Sequence, residues 1–166
     1  MSATKKTMTT PVGSLLLTGE ETEAGLLLDS VSFADPVHSG HDAGASAAFA
    51  DVERQLAAYF AGELERFCYA HTNRGTEFQR RVWAMVDTIP YGATISYAEL
   101  AGRAGAPRDR IRAVAAAVGA NPLLVLRPCH RVIGSNKSLT GYAGGVPRKQ
   151  FLLVHEGAPQ PQLMSP

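Results

Sequence analysis

Cys129, in the run Pro128-Cys129-His130-Arg131-Val132-Ile133, has the surroundings that point most directly to chemistry. A thiolate is an efficient nucleophile, and neighbouring cations and imidazoles favour its formation. Residues 123–126 are apolar and read as a strand leading in, with Pro128 fixing the backbone before the sulfur. A cysteine that only filled a core would fit the middle of such a run better than its end. Cys129 stands beside His130 and between Arg127 and Arg131, which predicts an activated thiol. Adjacent side chains rarely point the same way. A relay from Cys129 to His130 through one water is therefore more natural than direct contact. A carboxylate would then orient the imidazole. Glu77, Asp87, Glu99, Asp109 and Glu156 are the candidates in the same half of the chain, and spacing does not choose among them.

The elements that must position this run begin near residue 73. Thr76-Glu77-Phe78-Gln79 fits a capping box, and Phe78, Val82, Met85, Val86 and Ile89 follow as one helical stripe that Pro90 stops. Ser96-Tyr97-Ala98-Glu99 predicts a second capping box, opening a short helix lined by Leu100, Ala101 and Ala104 and ended by Gly105. After a four-residue turn, Asp109 is placed to cap a helix carrying Ile111, Val114, Ala115 and Val118, with Gly119 closing it. Two short helices joined this way form a helix-turn-helix pattern, although any packed helix pair can look similar. Arg110 and Arg112 stand among small alanines on the second helix, a composition that lets a helix approach DNA closely. Pro147 fits the first turn of a last helix, terminated by Gly157.

The first half is plainer. Residues 14–17 and 24–28 read as strands of a hairpin or meander, and Phe49, Val52, Leu56, Tyr59 and Phe60 as the apolar face of a helix ended by Gly62. Residues 1–72 hold four Lys/Arg against ten Asp/Glu, a net of −6, and residues 73–166 hold twelve against five, a net of +7. The total of +1 thus hides an acidic half and a basic half, and the basic half suits phosphate. No apolar run approaches the ~20 residues that span a bilayer, and the polar N-terminus lacks a signal peptide's apolar centre. The expectation is a cytoplasmic protein with no membrane partner. Reduced thiols are expected there, with Cys68, in Phe-Cys-Tyr, a buried core residue.

Taken in order, these blocks resemble the O6-alkylguanine-DNA alkyltransferases, also called methylated-DNA–protein-cysteine methyltransferases. The resemblance rests on Gly75-Thr76-Glu77-Phe78-Gln79 with Val82-Trp83, Ile89-Pro90-Tyr91-Gly92, Ser96-Tyr97, Arg112-Ala113-Val114 and Asn121-Pro122. The Pro-Cys-His-Arg-Val-Ile run and residues 139–145 complete it, and it covers roughly residues 8–157. It implies an α/β protein in two parts. Residues 1–72 would form a small N-terminal α/β domain, an antiparallel sheet plus helix of ribonuclease H-like kind. Residues 73–157 would form a mostly helical catalytic and DNA-binding domain with a winged helix-turn-helix, and residues 158–166 a tail.

The resemblance also implies an activity: repair of duplex DNA by irreversible, single-turnover transfer of a methyl or other alkyl group from O6 of guanine, and from O4 of thymine, to Cys129. The roles follow by position. Cys129 would be the acceptor, His130 the base acting through water and Glu156 its orienting carboxylate. Asn121 would brace the active-site turn, and the Tyr97 phenol would protonate the leaving base. Arg112 would fill the stack vacated by the flipped nucleotide, with Ala113, Gln79, Ala98 and Ser135 at further DNA contacts. The carbonyls of Cys129 and Val132 would meet the guanine amino group, and Tyr142, Ala143 and Gly144 would wall the pocket. Alkylated double-stranded DNA is the partner implied, with no cofactor. A monomer is expected, and cooperative binding along DNA is left open.

Two positions depart from the pattern. Ala115 stands where glycine is expected after Arg-Ala-Val, and Ala143 where serine or glycine is common. His38-x-x-His41 and Cys68-x-x-His71 have the residue types of a zinc site, but solvated histidines and a core cysteine are the simpler account, and no metal is expected. Two rivals carry different expectations. A cysteine hydrolase using Cys129 and His130 would turn over repeatedly. A DNA-binding lesion sensor would keep its function without Cys129.

Overall fold

The computed structural model describes residues 2–34, 47–106, 108–134 and 141–159. The chain divides into two compact units, Met1–Arg74 and Gly75–Pro166.

In the first unit, β1 (Ser2–Thr10), β2 (Gly13–Thr22) and β3 (Gly25–Phe33) form an antiparallel meander in the order β1-β2-β3. Leu15 and Leu17 on β2 and Leu28 and Val31 on β3 are fully buried, the alternation of a half-buried sheet. A 3-10 turn over Ala47–Phe49 leads into α1 (Ala50–Phe60), which buries Val52, Leu56 and Tyr59. Sequence patterning indicates no strand where β1 lies. Its Thr- and Lys-rich residues form an edge strand, which needs no continuous apolar face. The other edge is covered where Leu28 pairs with His71, through Leu28 N to Ala70 O (2.9 Å) and Thr72 N to Leu28 O (2.8 Å). Cys68 is exposed rather than buried. Gln55 clamps its backbone from both sides, which turns the thiol out of the core.

The second unit opens with α2 (Glu77–Val86). Its capping box is complete: Thr76 Oγ1 accepts from Gln79 N (3.1 Å), and Gln79 Oε1 accepts from Thr76 N (2.9 Å). Such a cap contributes about 1 kcal/mol. Gly75, at φ +93°, is obligatory here, since an added Cβ would lie 2.6 Å from the Trp83 ring. Trp83 in turn donates from Nε1 to the Ala117 carbonyl (2.7 Å), locking α2 to α4 (Ile111–Gly119).

Between them, β4 (Ile95–Ser96) and α3 (Tyr97–Arg103) complete a three-helix cluster in which α2, α3 and α4 pack on one another. Ser96 caps α3, but only half of the predicted box forms: the Glu99 carboxylate pairs with Arg103 (2.8 Å) instead of reaching back. Asp109 does not cap α4. It lies in a 3-10 turn over Arg108–Arg110, so the cap position falls to Arg110, which offers no side-chain bond. α5 (Val146–His155), with Pro147 in its first turn, closes the unit. Among the described residues no helix is long and apolar enough to cross a membrane.

The segment before Cys129 is not a strand. Residues 124–126 turn tightly, with Leu126 N bonded to Leu124 O (2.8 Å) and Arg127 N to Leu123 O (2.9 Å). Val125 takes φ +70°, a left-handed conformation that a β-branched residue rarely adopts. Cys129 then starts a 3-10 turn over Cys129–Arg131, followed at once by β5 (Val132–Ile133). β5 pairs in parallel with β4, Ile95 opposite Val132 and Ser96 opposite Ile133. That short ladder brings the start of α3, with Tyr97, to the cysteine turn.

Candidate active site

Every residue from Leu123 to Ile133 is buried. Asn121, itself buried, braces the approach: its Oδ1 accepts from Leu123 N (2.9 Å), and its Nδ2 donates to the carbonyls of Leu123 (3.4 Å) and Arg127 (3.3 Å). One side chain thus replaces the ladder bonds a strand would have supplied, and holds the strained Val125 between its anchors.

Cys129 belongs to the core cluster of this unit, with Val82, Val114 and Val132, and Tyr97 and Tyr142 pack against it. Burial pushes its thiol up to about 12; Arg127, Lys149 and the Asn121 side chain pull the other way, and Asp87 adds to the rise. The flanking arginines therefore do not make a resting thiolate. Arg127 contacts Asp87 (3.4 Å) and lies 5.0 Å from the Trp83 ring centroid, and Arg131 is engaged elsewhere.

Of the five carboxylates open to His130, Glu156 is the one that meets it. His130 Nε2 lies 2.8 Å from Glu156 Oε2, and both side chains are fully buried. Arg131 holds the same carboxylate with Nε to Oε1 (2.8 Å) and Nη2 to Oε2 (3.0 Å), and spends Nη1 on the Ile89 carbonyl (2.6 Å). Burial alone would raise the Glu156 carboxyl, but hydrogen bonds from His130 and Arg131 outweigh it and hold the group well below the usual carboxylate range. Burial dominates at His130 and lowers its pKa below 6.5, so the ring is neutral at pH 7. An ionised carboxylate only accepts, so Nε2 carries the proton and Nδ1 presents its lone pair. Nδ1 is buried and has no partner among the described residues.

A cavity of about 570 Å³ adjoins this core, lined by Tyr97, Ile111, Arg112, Ala115, Val118, Gly119, Leu124, Gly141, Tyr142 and Ala143. Its size suits a small-molecule site, about 300–1,000 Å³. Four predicted site residues, Tyr97, Arg112, Tyr142 and Ala143, meet there. Ala115, which replaces an expected glycine, is in the wall. Arg112 is exposed at the cavity, Ala113 half-buried and Ala98 exposed on α3. The Gln79 carbonyl is committed to its capping box. The Cys129 carbonyl already accepts from Val132 N. Gly144 lies in a tight turn in which Gly145 N bonds Tyr142 O (2.9 Å). Ser135, His38 and His41 fall outside the described residues. Of the other two histidine–cysteine candidates for zinc, Cys68 is exposed, and His71 Nδ1 is 2.9 Å from the Thr72 carbonyl.

Sequence reasoning missed Lys149 as a site residue. It is fully buried, donates from Nζ to the Gly141 carbonyl (3.1 Å) and lies 5.8 Å from the Tyr97 ring centroid. Burial lowers its pKa to about 8. A signal was present: Lys149, Leu152, Leu153 and Glu156 follow the i, i+3, i+4, i+7 spacing of a buried helix face. Arg131 flanks the thiol in sequence, but its charge goes to Glu156.

A buried cysteine, a neutral imidazole oriented by a carboxylate and an adjoining cavity define a protein with a protected nucleophile. The family model for the 6-O-methylguanine DNA methyltransferase DNA-binding domain matches residues 77–158. A methylated-DNA–protein-cysteine methyltransferase of Mycolicibacterium paratuberculosis is 46% identical over 154 residues, covering 91% of this chain and 90% of that one. The crystal structure of Mycobacterium tuberculosis OGT in complex with DNA superposes with a TM-score of 0.79 at 44% identity, covering 93% of this chain and 94% of that one. The O6-methylguanine DNA methyltransferase structure from Methanococcus jannaschii shares the fold, with a TM-score of 0.64 at 24% identity over 90% of this chain and 93% of that one. The chain belongs to the methylated-DNA–protein-cysteine methyltransferase family.

Proposed function

We infer that this chain repairs duplex DNA by taking a methyl or other alkyl group from O6 of guanine, and from O4 of thymine, onto the sulfur of Cys129. The observation that carries the reading is Cys129 buried beside a His130–Glu156 pair whose free imidazole nitrogen is a base. The Cys129 proton passes through one water to His130 Nδ1, and the thiolate attacks the alkyl carbon. The carbon–sulfur bond forms as the carbon–oxygen bond breaks, and the leaving guanine takes a proton from the Tyr97 hydroxyl. The product thioether is not reversed by cellular reductants, so each chain acts once and needs no cofactor.

A lesion inside the stack is out of reach of a buried sulfur. The damaged base therefore flips into the cavity at a cost of a few kcal/mol. Arg112, exposed where that cavity opens on α4, fills the space left behind. Ala113, Ala98, Gln79 and Ser135 contact the DNA around it. Asn121 braces the turn, the Cys129 and Val132 carbonyls receive the guanine amino group, and the Tyr142-Ala143-Gly144 loop walls the base. In this reading the first unit is of ribonuclease H-like kind and the second carries a winged helix-turn-helix built on α3 and α4. The protein acts as a cytoplasmic monomer without a membrane partner.

The test uses duplex oligonucleotide carrying labelled O6-methylguanine. The parent chain should acquire the label and a Cys129→Ala variant none. Label transfer to Cys129→Ala would overturn the assignment.

A further inference from the structure

Two buried side-chain polar atoms lack a hydrogen-bond partner among the described residues, His130 Nδ1 and Tyr142 Oη. They belong to the same neighbourhood: the rings meet edge to face with centroids 6.4 Å apart, and Tyr142 packs against the cluster that contains Cys129. A buried hydroxyl without a partner costs roughly 1–3 kcal/mol, and two such atoms are seldom left together by chance. One is an acceptor and the other can donate, the complementary pair that a bridging water needs. The Val125 backbone near Tyr142 Oη favours the ionised phenol, as a donor to the oxygen does, and so leaves the O–H itself without an acceptor among the described residues.

We propose that Tyr142 is a positioning residue for proton transfer, its hydroxyl donating to the water that links Cys129 to His130 Nδ1. This rests on Cys129 being the acceptor and assigns Tyr142 a task beyond walling the pocket. The water accepts from Tyr142 O–H and from the Cys129 thiol, and donates to Nδ1. In the transfer the S–H bond breaks as a water O–H bond forms, and another water O–H bond breaks as N–H forms on His130. The Tyr142 proton stays on its oxygen. Its donation stabilises negative charge on the water oxygen when the proton reaches the imidazole first. The charged and titratable groups around this relay are Arg127, Asp87 and Lys149 at Cys129, Glu156, Arg131 and Lys149 at His130, and Glu156 and Arg148 at Tyr142.

Tyr142→Phe removes the hydroxyl and keeps the ring. The single-turnover rate at saturating methylated duplex should fall about tenfold, the worth of one hydrogen bond, with DNA affinity unchanged. The pH profile of Cys129 alkylation by iodoacetamide should move its half-point upward, a readout that pocket shape alone would not shift. A fluorinated tyrosine placed at 142, a better donor of the same shape, should move it downward and covers the case in which Tyr142→Phe folds poorly. A parental rate with a raised melting temperature would mean the hydroxyl is simply unpaired and would overturn the proposal. So would a slower rate with an unmoved pH profile. A Cys129→Ser control separates the two levels: label transfer to it would remove the underlying reading, whereas the Tyr142 results bear only on the relay.

Discussion

At the scale of the residue, the site is governed by burial. Cys129 is a resting thiol pushed up to about 12, so alkyl transfer must be coupled to proton removal. His130 is kept neutral below the ordinary histidine value, and the transfer rate should therefore hold as pH falls through 6.5 and decline only below it. A decline centred at or above 6.5 in single-turnover rates would show that His130 is not the base. The same shifts act on stability with one sign. Glu156 and His130 both have folded pKa values below their unfolded ones, so in acid the unfolded chain binds more protons. The contribution of these two groups is complete above about pH 6.5 and is lost as pH falls, first through the His130 window and then through that of Glu156. Glu156→Gln leaves the Arg131 guanidinium buried without its counter-charge. It should lower unfolding free energy by about 3–5 kcal/mol in denaturant titrations, and slow transfer as well. Glu156 was legible in the sequence only through the family resemblance. Five carboxylates were open to His130, and a glutamate at a helix end is ordinarily solvated. Its burial comes from α5 folding back over the cysteine turn, a long-range event that local spacing does not encode.

At the scale of the element, what holds Cys129 in place is a turn. The apolar run 123–126 has the composition of a strand, and that composition hid its geometry. Asn121 makes the difference, since one amide satisfies three backbone groups that a strand would have paired across a sheet. Asn121→Ala should cost about 1–3 kcal/mol in thermal or chemical unfolding, because those buried groups lose their partner. It should also slow transfer; unchanged stability would mean the turn is held by packing alone. The Thr76 capping box was legible because its signal lies within four residues. The second box was only half right, since Glu99 chose Arg103 one helical turn away, and Asp109 failed as a cap because the chain enters α4 through a 3-10 turn. Lys149 was missed because lysine is ordinarily read as solvated, although its helical phase puts it on the buried face of α5.

At the scale of the whole molecule, the charge asymmetry was visible in the sequence. The basic half is not spent uniformly. Arg127, Arg131 and Lys149 are buried, whereas Arg110 and Arg112, at the start of α4, are exposed. Arg112→Ala should weaken repair of duplex DNA more than reaction with a free O6-alkylguanine base, measured as second-order rates on both. Equal losses would argue against a role in flipping. The antiparallel sheet followed from patterning, but β1 did not, because an edge strand of threonines and lysines lacks the alternation that marks a half-buried strand.

Everything at these three scales converges on one sulfur. The most direct measurement is the intact and peptide mass of the chain after mixing with excess methylated duplex DNA. The expected result is one added methyl group per chain, on Cys129 and not on the exposed Cys68. An unmodified Cys129, or more than one methyl removed from DNA per chain, would contradict it.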